Sequence, residues 1–239
     1  MPQKHFYLPI LLIGITSLFL SSCSKTIDGE GEVIQQTRSL KSFTDLTLDI
    51  SANITVVISD SVSCVISAQS NIADIIEMDE GSSSLKIKSK NDYRATKPVE
   101  IIISTQSIEK IAINGSGDIH VLNGIKGKSL KLNINGSGDI DLALDVEELR
   151  SMINGSGNLN LSGKAASHRL QINGSGNAHA FDLAVDDYKI SLNGSGDAEV
   201  TAKSSFDAKV IGSGNVIYKG APTVKTVVTG SGTVTKSNE

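Results

Sequence analysis

The stretch "LKLNINGSGDIDLAL", residues 130–144, holds two opposed patterns around one turn. Leu130, Leu132 and Ile134 alternate with polar residues before Gly-Ser-Gly, and Ile140, Leu142 and Leu144 alternate after it. Alternation sends successive side chains to opposite faces of a strand, so two short strands flank the turn. The tripeptide recurs, its paired turn glycines being Gly115 and Gly117, Gly136 and Gly138, Gly155 and Gly157, Gly174 and Gly176, Gly194 and Gly196, Gly212 and Gly214, and Gly230 and Gly232. Successive repeats start 21, 19, 19, 20, 18 and 18 residues apart. A tight hairpin needs only an Asn-Gly pair. Retention of the whole tripeptide predicts identical corners lying over one another, as in a parallel β-helix whose coils stack at about 4.8 Å.

A second, variable turn such as residues 145–148 ("DVEE") returns the chain to its starting phase. Ile113, Ile134, Ile153, Ile172, Leu192, Val210 and Val228 share the phase just before the corner and form the expected inward aliphatic stack. Glycine lets the corner bend where a Cβ clashes, while Ser and Asn suit hydrogen-bonded ladders along the stack. Residues 38–110 lack the tripeptide but are strand-like, and are expected as irregular early coils. "NIADIIEMDEG" (71–81) is the one stretch that also fits a helical turn.

The first residues carry Lys4, an apolar run from Phe6 to Leu20, and small residues before Cys23, the pattern of an export signal. That run is shorter than the roughly 20 residues a membrane-crossing helix requires. Leu20-Ser21-Ser22-Cys23 resembles the bacterial lipobox, which implies cleavage before Cys23 and acylation of its thiol. Several acyl chains make a stable anchor, each buried methylene adding about 0.8 kcal/mol. Residues 1–22 are thus expected as a lipoprotein signal, 23–36 as a lipidated tether, and 37–239 as the β-helix. Cys64, in an alternating stretch with Val62 and Ile66, is expected as a buried small hydrophobe.

Removing Lys4 with the signal leaves 21 basic against 26 acidic side chains, a net charge of −5. With so few aromatics, this balance argues against nucleic acid as a partner.

Four residues before each Asn position stand Lys110, Lys131, Arg150, Arg169 and Lys189, followed by Asp207 and Lys225. Five cations at one outward phase repel each other unless compensated. Two readings are open: acids on the variable turn (Asp145, Glu147, Asp186, Asp187) compensate them, or the column is a groove for an anionic polymer such as acidic glycan or lipopolysaccharide phosphate.

After the corners come Asp118, Asp139, Asn158, Asn177, Asp197 and Asn215. Asp118 with Asp139 meets the spacing of a retaining glycosidase, but Asn at the same phase points to turn chemistry. His120 with Asp141, and His179 with Glu199, form adjacent-coil pairs, two ligands each and so an incomplete metal site. The repeat serines have no base at a fixed offset and read as a ladder rather than as nucleophiles. No catalytic residue, metal or cofactor is expected.

Arg38, Phe43, "ITVVIS" (54–59), "NIADIIEMDEG", "SLKIKS" (84–89) and the repeated "INGSG" units, in that order, resemble the family described as putative auto-transporter adhesin, head GIN domain. The resemblance covers residues 37–230. It implies a right-handed β-helix similar to pectin-lyase folds without their catalytic residues, and a role in adhesion. An autotransporter carries its own outer-membrane barrel, and nothing before Glu239 reads as one, so the lipid on Cys23 is expected to take its place. The expectation is a non-enzymatic lipoprotein of the cell envelope, at the outer membrane, displaying an adhesin-like module. Its expected partners are the membrane, through the lipid, and an acidic glycan or a surface protein. The rival classes are a glycan-processing enzyme on the same fold, and a structural protein whose terminal coil, lacking Asn and Asp at Thr229 and Thr233, pairs with another copy.

Overall fold

The computed structural model describes residues 26–238, so Cys23 and the signal segment lie outside the described residues. The chain runs through β1 (Ile27–Asp28), β2 (Val33–Arg38), β3 (Asp45–Leu48), β4 (Asn53–Ile58), β5 (Ser63–Gln69), the short helix α1 (Ser70–Ala73), β6 (Ile76–Glu80), β7 (Ser84–Ser89), β8 (Tyr93–Arg94) and β9 (Glu100–Thr105). From β10 (Lys110–Gly115) the repeats begin, and β11 (Asp118–Gly136), β12 (Ile140–Gly155), β13 (Asn158–Gly174), β14 (Asn177–Gly194) and β15 (Ala198–Gly212) each wrap most of a coil. β16 (Asn215–Lys219), β17 (Thr223–Gly230) and β18 (Thr233–Lys236) complete a β-solenoid of about seven turns with coils of about 19 residues.

Neighbouring coils pair in parallel, and the register joins Ile113, Ile134, Ile153, Ile172, Leu192, Val210 and Val228 into one column. The first six are sealed from solvent, whereas Val228 in the last coil is 41% exposed. Each buried aliphatic side chain contributes roughly 1.5–3 kcal/mol, which makes these columns the main source of stability.

The bend expected of both corner glycines belongs to the first of each pair alone. Gly115, Gly136, Gly155, Gly174, Gly194, Gly212 and Gly230 take a left-handed φ, 141° at Gly136 for instance. A Cβ added at Gly136 also falls on the carbonyl oxygen of Gly115 in the coil below, so only glycine fits there. The second glycines, Gly117, Gly138, Gly157, Gly176, Gly196, Gly214 and Gly232, have no left-handed φ, which corrects their reading as bending residues. Space alone requires them. A Cβ on Gly138, Gly157, Gly176, Gly196, Gly214 or Gly232 falls on the carbonyl oxygen of the second glycine one coil below, and on Gly117 it meets the carbonyls of Ile50 and Ala52.

The ladder at the corner belongs to asparagine rather than serine. Asn135 Nδ2 donates to Asn114 Oδ1 (2.9 Å), Asn154 to Asn135 (2.9 Å), Asn173 to Asn154 (2.8 Å) and Asn193 to Asn173 (3.1 Å). Asn114 in turn donates to Asp49 Oδ1 (2.7 Å), whose other oxygen pairs with Lys86 and raises that lysine's pKa. A serine rung occurs between Ser51 and Ser116 (2.8 Å), while the repeat serines, such as Ser137, donate backbone N–H groups to the glycine carbonyls below.

These contacts expose an eighth corner. Leu48 registers with Ile113 and Asn53 with Asp118, so "DISAN" (49–53) stacks beneath "NGSGD" (114–118), with Asp49 in the Asn place and Ala52 under Gly117. The early coils do not stack in chain order. β3 and β4 lie between β10 and β11 on one side and β7 and β9 on the other, so residues 84–105 form the outer coil although they follow residues 45–58. Beyond it the parallel winding stops. β5 pairs antiparallel with β9, β2 with β5, and β6 with β7, while α1 buries Ile72 and Ala73 at that end of the core. The expectation of irregular coils is corrected here to two coils plus an antiparallel cap. The tether expected over 23–36 is corrected likewise, because the backbone of residues 33–38 is hydrogen-bonded into the cap.

Toward the other end the core becomes aromatic. His168, Tyr188 and Phe206 continue the column begun by Leu130 and Leu149, with ring centroids 4.7 Å and 6.3 Å apart. His168 Nε2 meets Ser151 Oγ at 3.0 Å, but His168 Nδ1 and the Tyr188 hydroxyl have no hydrogen-bond partner among the described residues. Burial lowers the His168 pKa to about 3 and pushes the Tyr188 hydroxyl well above its ordinary range. Cys64 is fully buried, as expected, and burial raises its thiol to about 11.

Candidate functional site

Strand register brings the sequence-predicted cations into one column. Lys110 lies beside Lys131, Lys131 beside Arg150, Arg150 beside Arg169, and Arg169 beside Lys189. The column is closed at both ends by a carboxylate, Asp45 next to Lys110 and Asp207 next to Lys189. Lys131, Arg150, Arg169 and Lys189 point away from the core because the residues on either side of each, such as Leu130 and Leu132 around Lys131, are buried, and Lys110 follows from its register with Lys131 beside the buried Ile111. Coil spacing sets neighbouring cations about 4.8 Å apart at the backbone, where two unit charges in water repel by roughly 1 kcal/mol.

Compensation is partial and comes from other acids than the sequence suggested. Glu148 accepts from Arg150 Nη2 (2.7 Å) and Nε (2.8 Å), and Asp207 faces Lys189 at 3.9 Å. Asp145 and Asp186 pair with Lys164 (3.2 Å) and Lys203 (3.9 Å) at the variable turn, and Asp187 accepts from Ser205 Oγ (2.6 Å). Lys110, Lys131 and Arg169 carry no ion pair among the described residues. Beside the column lies a shallow cleft of about 340 Å³, lined by Asp45, Glu109, Lys110, Ser129, Leu130, Lys131, Glu148 and Arg150. A second, of about 240 Å³, follows along Arg169 and Lys189. Glu148 and Asp45 escaped the sequence reading because no charge repeats from one coil to the next at Glu148's phase, and Asp45 stands in a coil without the tripeptide. The strand pairing Ser129–Glu148–Ser167–Asp187–Ser205 alternates serine with acid, so adjacent coils never match.

The column after the corners is a structural ladder. Asp118 Oδ1 accepts the Asp139 backbone N–H (2.9 Å), and Asp139 Oδ1 accepts both the backbone N–H (2.7 Å) and Nδ2 (3.0 Å) of Asn158. Asn177 Nδ2 donates to Asn158 Oδ1, the Asp197 backbone N–H to Asn177 Oδ1, the Asn215 backbone N–H to Asp197 Oδ1, and the Thr233 hydroxyl to Asn215 Oδ1. The carboxylates thus hold the next coil's backbone instead of forming the local turns expected for these residues. His120 and Asp141 are 3.6 Å apart and His179 and Glu199 3.1 Å apart, both pairs half-exposed. Among the described residues no three His, Cys, Asp or Glu side chains cluster as metal ligands.

A parallel solenoid with an antiparallel cap, internal ladders and an outward cationic column is a repeat architecture that presents the same side-chain phase at fixed spacing along its length. The model of the family described as "Putative auto-transporter adhesin, head GIN domain" matches residues 42–222, and the chain belongs to that family. Its structure is similar to that of a "putative adhesin" from Bacteroides fragilis, with TM-score 0.84 and 27% identity over 88% of this chain and 100% of that one. It is also similar to a "putative lipid binding protein" from Parabacteroides distasonis (TM-score 0.77, 23% identity, 90% and 100% covered) and a "putative adhesin" from Parabacteroides merdae (0.71, 23%, 89% and 99%). No curated protein matches the sequence.

Proposed function

We propose that the chain is a non-enzymatic binding module of the cell envelope, tethered by acyl chains on Cys23 at the outer membrane, whose cationic column holds an anionic polymer such as an acidic glycan or the phosphates of lipopolysaccharide. Membership of an adhesin family supports the surface role and the absence of catalysis. The observation that carries the ligand reading is the in-register column Lys110–Lys131–Arg150–Arg169–Lys189, in which Lys110, Lys131 and Arg169 lack carboxylate partners among the described residues. A repeated charge at fixed spacing suits a repeated anionic ligand, and its partly exposed setting makes attraction salt-dependent.

The test is a glycan array probed with the chain from Ser24 onward at two salt concentrations. Binding to acidic glycans that weakens with salt is expected, and binding that ignores salt, or none to any anionic glycan, overturns the reading. For the anchor, Cys23→Ala is expected to move the protein from the membrane to the soluble fraction; unchanged membrane retention contradicts it.

A further inference from the structure

The two ends of the solenoid differ. At the cap end α1 plugs the core, and Ile72 and Ala73 are fully buried. At the other end the core is open. Phe206, Ala208 and Val210 of β15 are sealed, yet the residues registered on them, Val224, Thr226 and Val228 of β17, are exposed, the two valines at 41%. The whole of β17 is exposed, and among the described residues β15 is its one strand partner. An open parallel edge with uncovered inward valines is a template for another strand.

The pattern of β17 selects the occupant. Its inward residues read Val-Thr-Val about Thr226, the same in both directions. We propose that a second copy of this chain occupies the open end, with β17 pairing antiparallel to β17 about a two-fold axis at Thr226. This pairing keeps inward residues together, as strand geometry demands, and sets Val224 opposite Val228 of the second copy so that the core continues across the junction. On the outer face Lys225 meets Val227, which is 49% exposed, and no like charges oppose each other. A head-to-tail stack lacks this match, because it sets the open valines against a core already plugged by α1. The two-fold arrangement closes at two copies instead of growing into a fibre.

The contact is small, roughly 26 Å of strand across a sheet-to-sheet depth of about 10 Å, so single pairs are weak and clustering on a surface multiplies them. The capped ends then lie about 90 Å apart, counting ten strands per copy at about 4.8 Å each. If the Cys23 anchor proposed above holds, two copies meeting in this way join two surfaces, which makes the contact a homophilic bridge. The dimer itself does not depend on the anchor.

Thr226→Cys, introduced into the chain from Ser24 onward, is expected to form a disulfide-linked dimer on mild oxidation, since the pairing sets residue 226 against its own copy and Cys64 is buried. Thr229→Cys, placed opposite Thr223 of the second copy, is expected to stay monomeric. Adding Val224→Lys and Val228→Lys to Thr226→Cys should abolish cross-linking while circular dichroism keeps the β spectrum. Equal cross-linking of both cysteine variants, cross-linking of neither, or sedimenting species larger than a dimer overturns the proposal. Beads coupled through residue 24 should clump and lose clumping with the two lysines. Dispersed beads alongside cross-linked Thr226→Cys reject the bridge and leave the dimer standing, and the fate of Cys23→Ala decides the anchor separately.

Discussion

At the scale of the residue, two buried polar groups set measurable properties. The Tyr188 hydroxyl lies in the aromatic column without a hydrogen-bond partner among the described residues, and an unsatisfied buried hydroxyl costs about 1–3 kcal/mol. Tyr188→Phe keeps the ring between His168 and Phe206 and removes that cost, so we expect it to stabilise the protein by about 1 kcal/mol in denaturant unfolding; a loss of stability contradicts the assignment. His168 is neutral in the fold, its pKa lowered to about 3, against about 6.5 in an unfolded chain. Below pH 6.5 the unfolded chain takes up a proton that the folded one refuses, so stability falls as pH drops from about 6.5 toward 3, by up to about 1.4 kcal/mol per unit. His168→Leu, the residue its column carries at 130 and 149, should flatten that part of the melting-temperature profile. An unchanged acid slope rejects the mechanism.

At the scale of the element, the asparagine ladder couples coils through shared rungs. Asn154 accepts from Asn173 and donates to Asn135, whereas Asn193, followed by Ile211, donates to Asn173 alone. Asn154→Ala therefore breaks two bonds and Asn193→Ala one, and at about 1 kcal/mol per bond the first should cost about twice the second in denaturant unfolding. Equal costs contradict the ladder. The regular coils were legible because one side-chain phase repeats the same chemistry seven times, and the strand register reproduces the aliphatic column residue for residue. Repetition of the glycines showed that corners stack, but not that the first glycine of each pair bends the chain while the second only makes room for the coil below. The corner at 49–53 was hidden because Ile50 and Ala52 replace its glycines, which the lowest position tolerates since no identical corner lies beneath it. The cap was hidden for a different reason. β2 and β5 alternate like any coil strand, and alternation carries no information on whether a strand pairs parallel or antiparallel. Nor did spacing show that residues 84–105 lie outside residues 45–58. For the candidate site, the cations and Asp207 were read from their phase, while Glu148 and Asp45 required register to be placed beside them.

At the scale of the whole molecule, a capped end, a repeated body and an open end divide the tasks. The cap closes the core nearest the N-terminus, the body displays the cationic column over five coils, and the open end presents an unpaired edge. Repetition makes the column a property of the assembly, since a lone lysine on a strand holds no polymer. The proposed binding rests on charge at that column rather than on charge in general. The most direct measurement is titration of polygalacturonate against Lys131→Glu/Arg150→Glu, beside a control of equal charge change, Lys164→Glu/Lys203→Glu, at the variable turn where those lysines pair with Asp145 and Asp186. The column variant should lose affinity by about tenfold, since each of the two reversals removes an attraction of up to about 1 kcal/mol and adds a repulsion in its place, while the control binds nearly as the unmodified chain does. Equal affinity of the two variants would contradict the account.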